Sequence, residues 1–211
     1  ESTAEQIRSL GRQALTLLTD VTKANDVNSM VDRTLEAFGR IDIMVPNAAF
    51  ARGPDRVSML ELDSAVFQKV LDIKVTGTYL CVKAAAKVMI DQGRGGKIVT
   101  VSSVAGKRGS VNTLAYNAAN FAVVGMTQSM AKELGSYKIN VNCVCPGAVD
   151  THRMDDLGRG DRWEQMANDT PIGRNGTDDE IGAFITYLCT EAASWIHGQS
   201  ININGGTFME H

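Results

Sequence analysis

The chain has 211 residues, 44% of them hydrophobic and 21% charged, which suits one domain with a substantial core over residues 1–211. A net charge of −3, with lysines and arginines scattered along the chain, argues against nucleic acid as a partner. No apolar run approaches the roughly 18 residues of a membrane-spanning helix and no signal peptide begins the chain, so we expect no membrane partner and a cytoplasmic location.

Helical and strand patterns alternate along the whole sequence, which predicts an α/β fold with a parallel sheet and helices on both faces. In chain order, the patterns predict helix 2–10, strand 14–20, helix 24–38, strand 41–45, helix 64–92, strand 97–103, a helix carrying Tyr116 to 134, strand 139–145, a short helix at 162–168, helix 178–190 and strand 200–204. Residues 150–177 are polar and rich in glycine, and we interpret them as a mobile flap over a ligand site.

The cysteines and histidines do not follow the spacing of metal ligands. The four cysteines lie in apolar settings, and the three histidines are far apart in the sequence. We therefore predict neither a metal site nor a disulfide framework.

Three polar residues around the third predicted strand and the helix after it have a characteristic spacing. Ser103 closes strand 97–103, Tyr116 follows thirteen residues later, and Asn120 lies one helical turn beyond Tyr116. Further motifs occur in a fixed order, namely Pro46-Asn47-Ala48-Ala49, Val75-Thr76-Gly77, Pro146-Gly147 with Thr151, Gly198-Gln199 and Asn204-Gly205-Gly206. This ordered set resembles the short-chain dehydrogenases/reductases over nearly the whole chain.

The resemblance implies a Rossmann-like, doubly wound sheet and an enzyme that transfers hydride between NAD or NADP and a small alcohol or ketone. It also implies that Tyr116 is the acid/base that exchanges a proton with the substrate oxygen. Ser103 would hydrogen-bond the same oxygen as charge develops on it. Ser102 is an alternative for that role, although the spacing to the tyrosine favours Ser103.

Several positions match the family's contacts with the cofactor. They are Asp20 and Val21 at the adenine ring, Asn47 and Ala48 at the adenosine ribose, Tyr116 and Asn120 at the nicotinamide ribose, and Pro146, Gly147, Val149 and Thr151 at the nicotinamide. Of the last group, Thr151 is the residue that would bond the carboxamide.

The usual beginning of a dinucleotide-binding sheet does not occur in this sequence. Such a sheet opens with a strand, a glycine-rich turn that faces the pyrophosphate, a crossover helix and a second strand, which together need roughly 30 residues. In the strand order 3-2-1-4-5-6, strand 14–20 would be the third and would pair only with the second. Our hypothesis is that the first βαβ unit belongs to a longer protein and is absent from this chain. Because the residue that distinguishes NAD from NADP follows that second strand, the sequence does not choose between them.

Two residues of the family pattern have changed places. The family has lysine at the position of Asn120 and asparagine at the position of Lys74. Bringing a tyrosine from a pKa near 10 to about 7 requires about 4 kcal/mol, whereas a neutral hydrogen bond contributes about 0.5–1.5 kcal/mol. Helical spacing places Lys74 on a stripe of apolar, small or uncharged residues. We hypothesise that Lys74 supplies the positive field, directly or through water, while Asn120 keeps the ribose contact.

A second hypothesis is a catalytically silent binding or assembly protein that keeps this fold, in which the exchange of lysine and asparagine is neutral drift. Members of the family commonly associate through the two long helices, here 64–92 and 117–134. Either hypothesis is therefore compatible with a homotetramer or a homodimer.

Overall fold

The computed structural model describes residues 2–51, 53–151 and 161–210. The helices are α1 (Ser2–Ser9), α2 (Ala24–Phe38), α3 (Ser64–Leu71), α4 (Gly77–Gln92), α5 (Leu114–Leu134), α6 (Asp161–Asn168) and α7 (Asp178–Leu188). The strands are β1 (Ile43–Met44), β2 (Gly96–Val101), β3 (Ile139–Pro146), β4 (Val149–Asp150), β5 (Gly176–Thr177) and β6 (Ser200–Ile203). Among these residues, no helix has both the length and the apolar character that crossing a bilayer requires.

The central sheet is parallel, with its strands in the order β1-β2-β3-β6. Alternate residues of β2 and β3 face opposite layers of helices. Ile98 and Val141 pack in a cluster with α2 and α4, whereas Val99 and Val144 pack with Leu188 of α7. The sheet is therefore covered on both faces, which confirms the predicted α/β fold and explains the nearly continuous apolar character of its inner strands.

The predicted helix 64–92 contains one π-helical turn, Asp72–Thr76, between α3 and α4. Lys74 lies at the centre of this turn and is buried, with 5% of its surface exposed. The hydroxyl of Thr78 donates a 2.6 Å hydrogen bond to the carbonyl of Lys74. The sequence pattern did not predict the turn, although such turns are frequent at functional sites.

The predicted strand at 14–20 is wrong. Residues 12–20 have no regular secondary structure, and Leu18 is fully exposed. A strand is stable only when its backbone groups pair with a neighbour, and within the described ranges no strand pairs with this segment. For a similar reason β1 covers two residues rather than the predicted 41–45, because among the described strands it pairs with β2 alone and forms the edge of the sheet.

A capping box begins α7. The hydroxyl of Thr177 accepts a 3.2 Å hydrogen bond from the backbone N–H of Glu180, whose carboxylate accepts a 2.9 Å bond from the N–H of Thr177. Because Thr177→Ala leaves one helical N–H without this partner, we expect it to lower the free energy of unfolding by about 1 kcal/mol and the melting temperature by about 2–4 °C.

Thr186→Ala is the matched control, because the Thr186 hydroxyl bonds only the carbonyl of Gly182 inside the same helix. Calorimetric melting should show the loss for Thr177→Ala alone. Equal losses for both variants would contradict a specific role for the cap.

Candidate active site

The carboxyl ends of the parallel strands bring the predicted site residues to one edge of the sheet. Ser103 follows the end of β2, and Tyr116 and Asn120 lie in the first two turns of α5. Asn47 follows β1, and Gly147 follows β3. Ligands of open α/β sheets bind at this edge, so the fold places the candidate residues where a substrate and a nucleotide can meet.

The two neighbouring serines have different partners. The hydroxyl of Ser102 donates a 3.0 Å hydrogen bond to the backbone carbonyl of Asn120 and so attaches the end of β2 to α5. The Ser103 oxygen accepts a 3.2 Å bond from the N–H of Ala105, which leaves its own proton available for a ligand. This difference favours Ser103 over Ser102 as the residue that binds a substrate oxygen.

Asn117 holds the loop between Ser103 and α5. Its side-chain amide donates to the carbonyls of Ala105 and Arg108, at 2.8 and 2.6 Å. Gly106 lies so close to α5 that an added Cβ would come within 2.4 Å of the Ser102 hydroxyl and 2.8 Å of the Asn120 carbonyl. The loop therefore has little freedom, and it sets the position of Ser103 relative to the helix that carries Tyr116.

The side chain of Asn120 is buried and only partly hydrogen-bonded. Its amide group donates a 2.8 Å bond to the carbonyl of Tyr116, and 1% of the residue is exposed. Its side-chain oxygen is buried without a hydrogen-bond partner among the described residues. A buried acceptor without a donor is costly, so this oxygen is suited to accept a hydrogen bond from a hydroxyl group of a ligand.

Lys74 lies on the π turn, which packs against α5. Burial lowers the pKa of its ammonium group to about 8, and the negative charge of the nearby Cys143 thiolate on β3 would oppose that shift. Within the described part of the chain, no hydrogen bond or ion pair joins Lys74 to Tyr116 or Asn120. The structure thus supports the prediction that Lys74 is not a solvated surface charge, but it does not show the direct contact that we had considered.

Arg56 is a site residue that the sequence did not reveal. The carbon of its guanidinium lies 3.9 Å from the centre of the Tyr116 ring. An arginine over an aromatic face is attracted by the electrons of the ring. The only signal in the sequence was a cation beside an acid in a loop after β1, and nothing in that pattern indicates a contact with a residue sixty positions away.

A cleft next to the end of β1 contains part of the predicted cofactor site. Its volume is about 280 Å³, and it is lined by Val21, Asn47, Ala48 and Gly77, among others. A Cβ on Gly77 would come within 2.7 Å of the Val21 side chain, so the absence of a side chain there allows the close packing of this wall. Asp20 is exposed beside it, where hydrogen bonds from Thr22 lower the pKa of the carboxyl group.

The turn after β3 is held by the neighbouring strand. The N–H of Gly147 donates a 3.0 Å bond to the carbonyl of Ile203, and an added Cβ would come within 2.9 Å of Asn204. Val149 then pairs with Gly176 in the short parallel β4–β5 ladder. Of the predicted flap 150–177, residues 152–160 lie outside the described residues, while α6 confirms the short helix predicted at 162–168.

Comparisons with known proteins match almost the whole chain. A family model described as enoyl-(acyl carrier protein) reductase matches residues 1–207. The 3-oxoacyl-[acyl-carrier-protein] reductase of Synechocystis sp. is 34% identical over 210 residues, which are 99% of this chain and 82% of that protein. The 2-dehydro-3-deoxy-D-gluconate 5-dehydrogenase of Escherichia coli is 32% identical over 205 residues, covering 97% and 80% of the two chains.

A solved structure shows the same similarity in three dimensions. The crystal structure of a short-chain type dehydrogenase/reductase from Mycobacterium marinum has a TM-score of 0.91 and 34% sequence identity, covering 100% of this chain and 82% of that one. The chain thus spans about four fifths of the length of these proteins.

Replacing Lys74 by methionine should stabilise the protein at neutral pH. Because the pKa of Lys74 is about 8 in the folded state against 10.5 when solvated, burial of its charge costs about 3 kcal/mol below pH 8. Between pH 8 and 10.5 the unfolded state binds the extra proton, so the stability of the wild type rises with pH and the cost disappears. We expect Lys74→Met to raise the free energy of unfolding by up to about 3 kcal/mol at pH 7 and by much less at pH 10.5.

Urea unfolding at both pH values measures this difference, with Lys87→Met as the control because Lys87 is an exposed lysine of α4. If Lys74→Met destabilised the protein at pH 7, a favourable partner of the ammonium would be indicated and the account of its burial would be wrong.

Proposed function

Since the chain belongs to the short-chain dehydrogenase/reductase family, we propose that it transfers hydride between a nicotinamide cofactor and a small alcohol or ketone. Relatives in this family are oxidoreductases that use NAD or NADP. The observation that carries the proposal is the connection from β2 to α5, in which Asn117 and Gly106 hold Ser103 against the helix of Tyr116.

In this proposal Tyr116 is the acid/base. Its phenol exchanges a proton with the substrate oxygen, while the hydroxyl of Ser103 donates a hydrogen bond to that oxygen and stabilises its developing charge. Ser103 can do so because its own proton is not used by the protein. The bound cofactor supplies or accepts the hydride.

The residues of this sequence that line the site fit the adenosine and nicotinamide ends of a dinucleotide. Val21, Asn47 and Ala48 line the cleft beside β1, and we assign the adenosine group to this cleft. The free oxygen of Asn120 provides an acceptor for a ribose hydroxyl. We assign the contacts with the nicotinamide to Pro146, Gly147, Val149 and Thr151, and Thr151 would form a hydrogen bond with the carboxamide. We assign Asp20 to the adenine end.

Lys74 acts on Tyr116 through space or through water in this proposal. Its ammonium is protonated below pH 8 and buried behind α5, where the low dielectric lets a charge act over a longer distance than in water. Asn120 cannot supply a charge, and its role is the hydrogen bond to the ribose. The positive field is thus provided from the π turn rather than from α5.

The exposed faces of α4 and α5 are our candidates for self-association into a homodimer or homotetramer. Tyr79 and Phe121 are both 46% exposed on these helices and give the two faces apolar surface for such a contact. Light scattering of the purified chain tests this proposal.

Tyr116→Phe should remove turnover without removing cofactor binding. Loss of the proton donor at the reacting oxygen should lower kcat by about 10²–10⁴-fold, and Ser103→Ala should lower it by about 10²-fold or more. The assay is cofactor absorbance with a panel of small alcohols and ketones, and cofactor binding is followed by fluorescence quenching. Tyr137→Phe, at an exposed tyrosine beyond the far end of α5, is the control.

Full activity of Tyr116→Phe would exclude the proposed chemistry. Cofactor binding by the wild type without turnover of any substrate would favour the catalytically silent binding protein instead.

Removing the charge of Lys74 should change the pH dependence of turnover. For oxidation of an alcohol, we expect Lys74→Ala to lower kcat and to move the rising limb of the rate profile to higher pH, since a negative phenol oxygen is no longer stabilised. The double variant Lys74→Asn with Asn120→Lys restores the arrangement of the family and should keep or increase activity. A rate profile that is the same in Lys74→Ala and the wild type would contradict the role of this lysine.

A further inference from the structure

Arg56 occupies a turn that fixes its direction. The N–H of Arg56 donates a 3.0 Å bond to the carbonyl of Gly53, and the N–H of Gly53 donates a 3.1 Å bond to the carboxylate of Asp55. Asp55 is buried, with 2% of its surface exposed. The backbone of this turn is therefore anchored from inside the protein, and the arginine projects from a rigid base.

Only the Nε edge of the guanidinium forms an ion pair with the described part of the chain. Its Nε lies 3.2 Å from a carboxylate oxygen of Asp55 as an ion pair without a hydrogen bond, and its central carbon lies over the ring of Tyr116, 3.9 Å from the ring centre. Stacking leaves the N–H groups in the plane of the guanidinium free to donate sideways. In the described part of the chain neither terminal nitrogen has a hydrogen bond or a further ion pair.

The free edge is accessible to a ligand. The Arg56 side chain is 24% exposed, whereas the Asp55 side chain is 2% exposed. Tyr116 is itself partly exposed below it, so a molecule that reaches the phenol also meets the guanidinium. Two terminal nitrogens in one plane match the two oxygens of a carboxylate, whereas a neutral carbonyl offers only one oxygen.

We propose that Arg56 binds a carboxylate on the substrate, so that this enzyme acts on small oxo or hydroxy acids in preference to neutral ketones and alcohols. The inference rests on the proposed function in one respect, because it takes Tyr116 as the residue that meets the reacting oxygen. Asp55 and the Tyr116 ring are positioning groups for the guanidinium in this arrangement.

The direct test compares small oxo acids with their own methyl esters, for example 3-oxobutanoate with methyl 3-oxobutanoate, at pH 7. The ester keeps the reacting carbonyl and removes the charge. We expect the wild type to prefer the acids by at least about tenfold in kcat/KM. Because Arg56 also lies over the Tyr116 ring, Arg56→Gln can change turnover of both substrates, so the diagnostic quantity is the acid-to-ester ratio of kcat/KM, which should fall by about 10–100-fold. Added salt should lower kcat/KM for the acids and leave kcat/KM for the esters unchanged.

Two variants separate charge recognition from folding. Arg56→Lys keeps the positive charge but loses the two coplanar N–H donors of the guanidinium. Its preference for acids should therefore lie between those of the wild type and Arg56→Gln. The double variant Asp55→Asn with Arg56→Gln leaves no unpaired buried carboxylate, and it should lose the preference for acids while remaining folded by circular dichroism. Arg40→Gln is the control, because Arg40 pairs with Asp42 at the opposite edge of the sheet and should not alter the preference.

Binding measurements separate recognition of the carboxylate from oxidoreductase activity. Calorimetric titration of the chain with 3-oxobutanoate requires no turnover, so binding that is lost in Arg56→Gln supports the carboxylate site even if every activity assay fails. Two results would overturn the inference and leave the proposed oxidoreductase activity intact. They are equal kcat/KM for acids and esters in the wild type, and a preference for acids that is unchanged in Arg56→Gln. Either result would indicate that Arg56 only neutralises Asp55.

Discussion

The burial of one positive charge is the constraint on which the proposed site depends. Lys74 lies in the interior, on a widened turn of a long helix, and desolvation lowers the pKa of its ammonium group to about 8. A buried cation without a carboxylate partner reduces stability, so its presence requires either a tolerant core or a function that uses the charge. Asn120, on the helix that packs against this turn, is buried and neutral, and its side-chain oxygen has no hydrogen-bond partner among the described residues. These features fit the proposal that the charge has moved from α5 to the π turn.

The layers of the fold could be predicted from the sequence because their signals are local and repeated. Apolar periodicity located α2 and α5, and Gly39 closes α2 with a φ of 75° as a glycine after a helix is expected to do. Strand 14–20 had an equally clear apolar pattern and was still wrong. Strand formation depends on a partner elsewhere in the chain, which a local pattern does not contain. The π turn at Asp72–Thr76 was missed because one extra residue hardly changes the helical period.

Part of the site could be predicted because its residues are spaced regularly along one stretch of the chain. Ser103, Tyr116 and Asn120 stand at spacings set by one strand, one loop and one helix, so their resemblance to a family pattern carries positional information. The structure adds information that spacing does not contain. The Ser102 hydroxyl donates a hydrogen bond to α5, whereas the hydroxyl proton of Ser103 remains available for a ligand. Arg56 reaches Tyr116 from a loop distant in sequence, and only the folded chain brings the two together.

We propose that Lys74 carries a buried charge that replaces the one absent at position 120. Nuclear magnetic resonance titration of the Lys74 side chain, with ¹³C-labelled lysine and Lys74→Met to assign the signal, measures this charge directly. The account predicts a midpoint at about pH 8, so that the ammonium is charged at neutral pH and lost on the alkaline side. A midpoint near 10.5, the value of a solvated lysine, would contradict it.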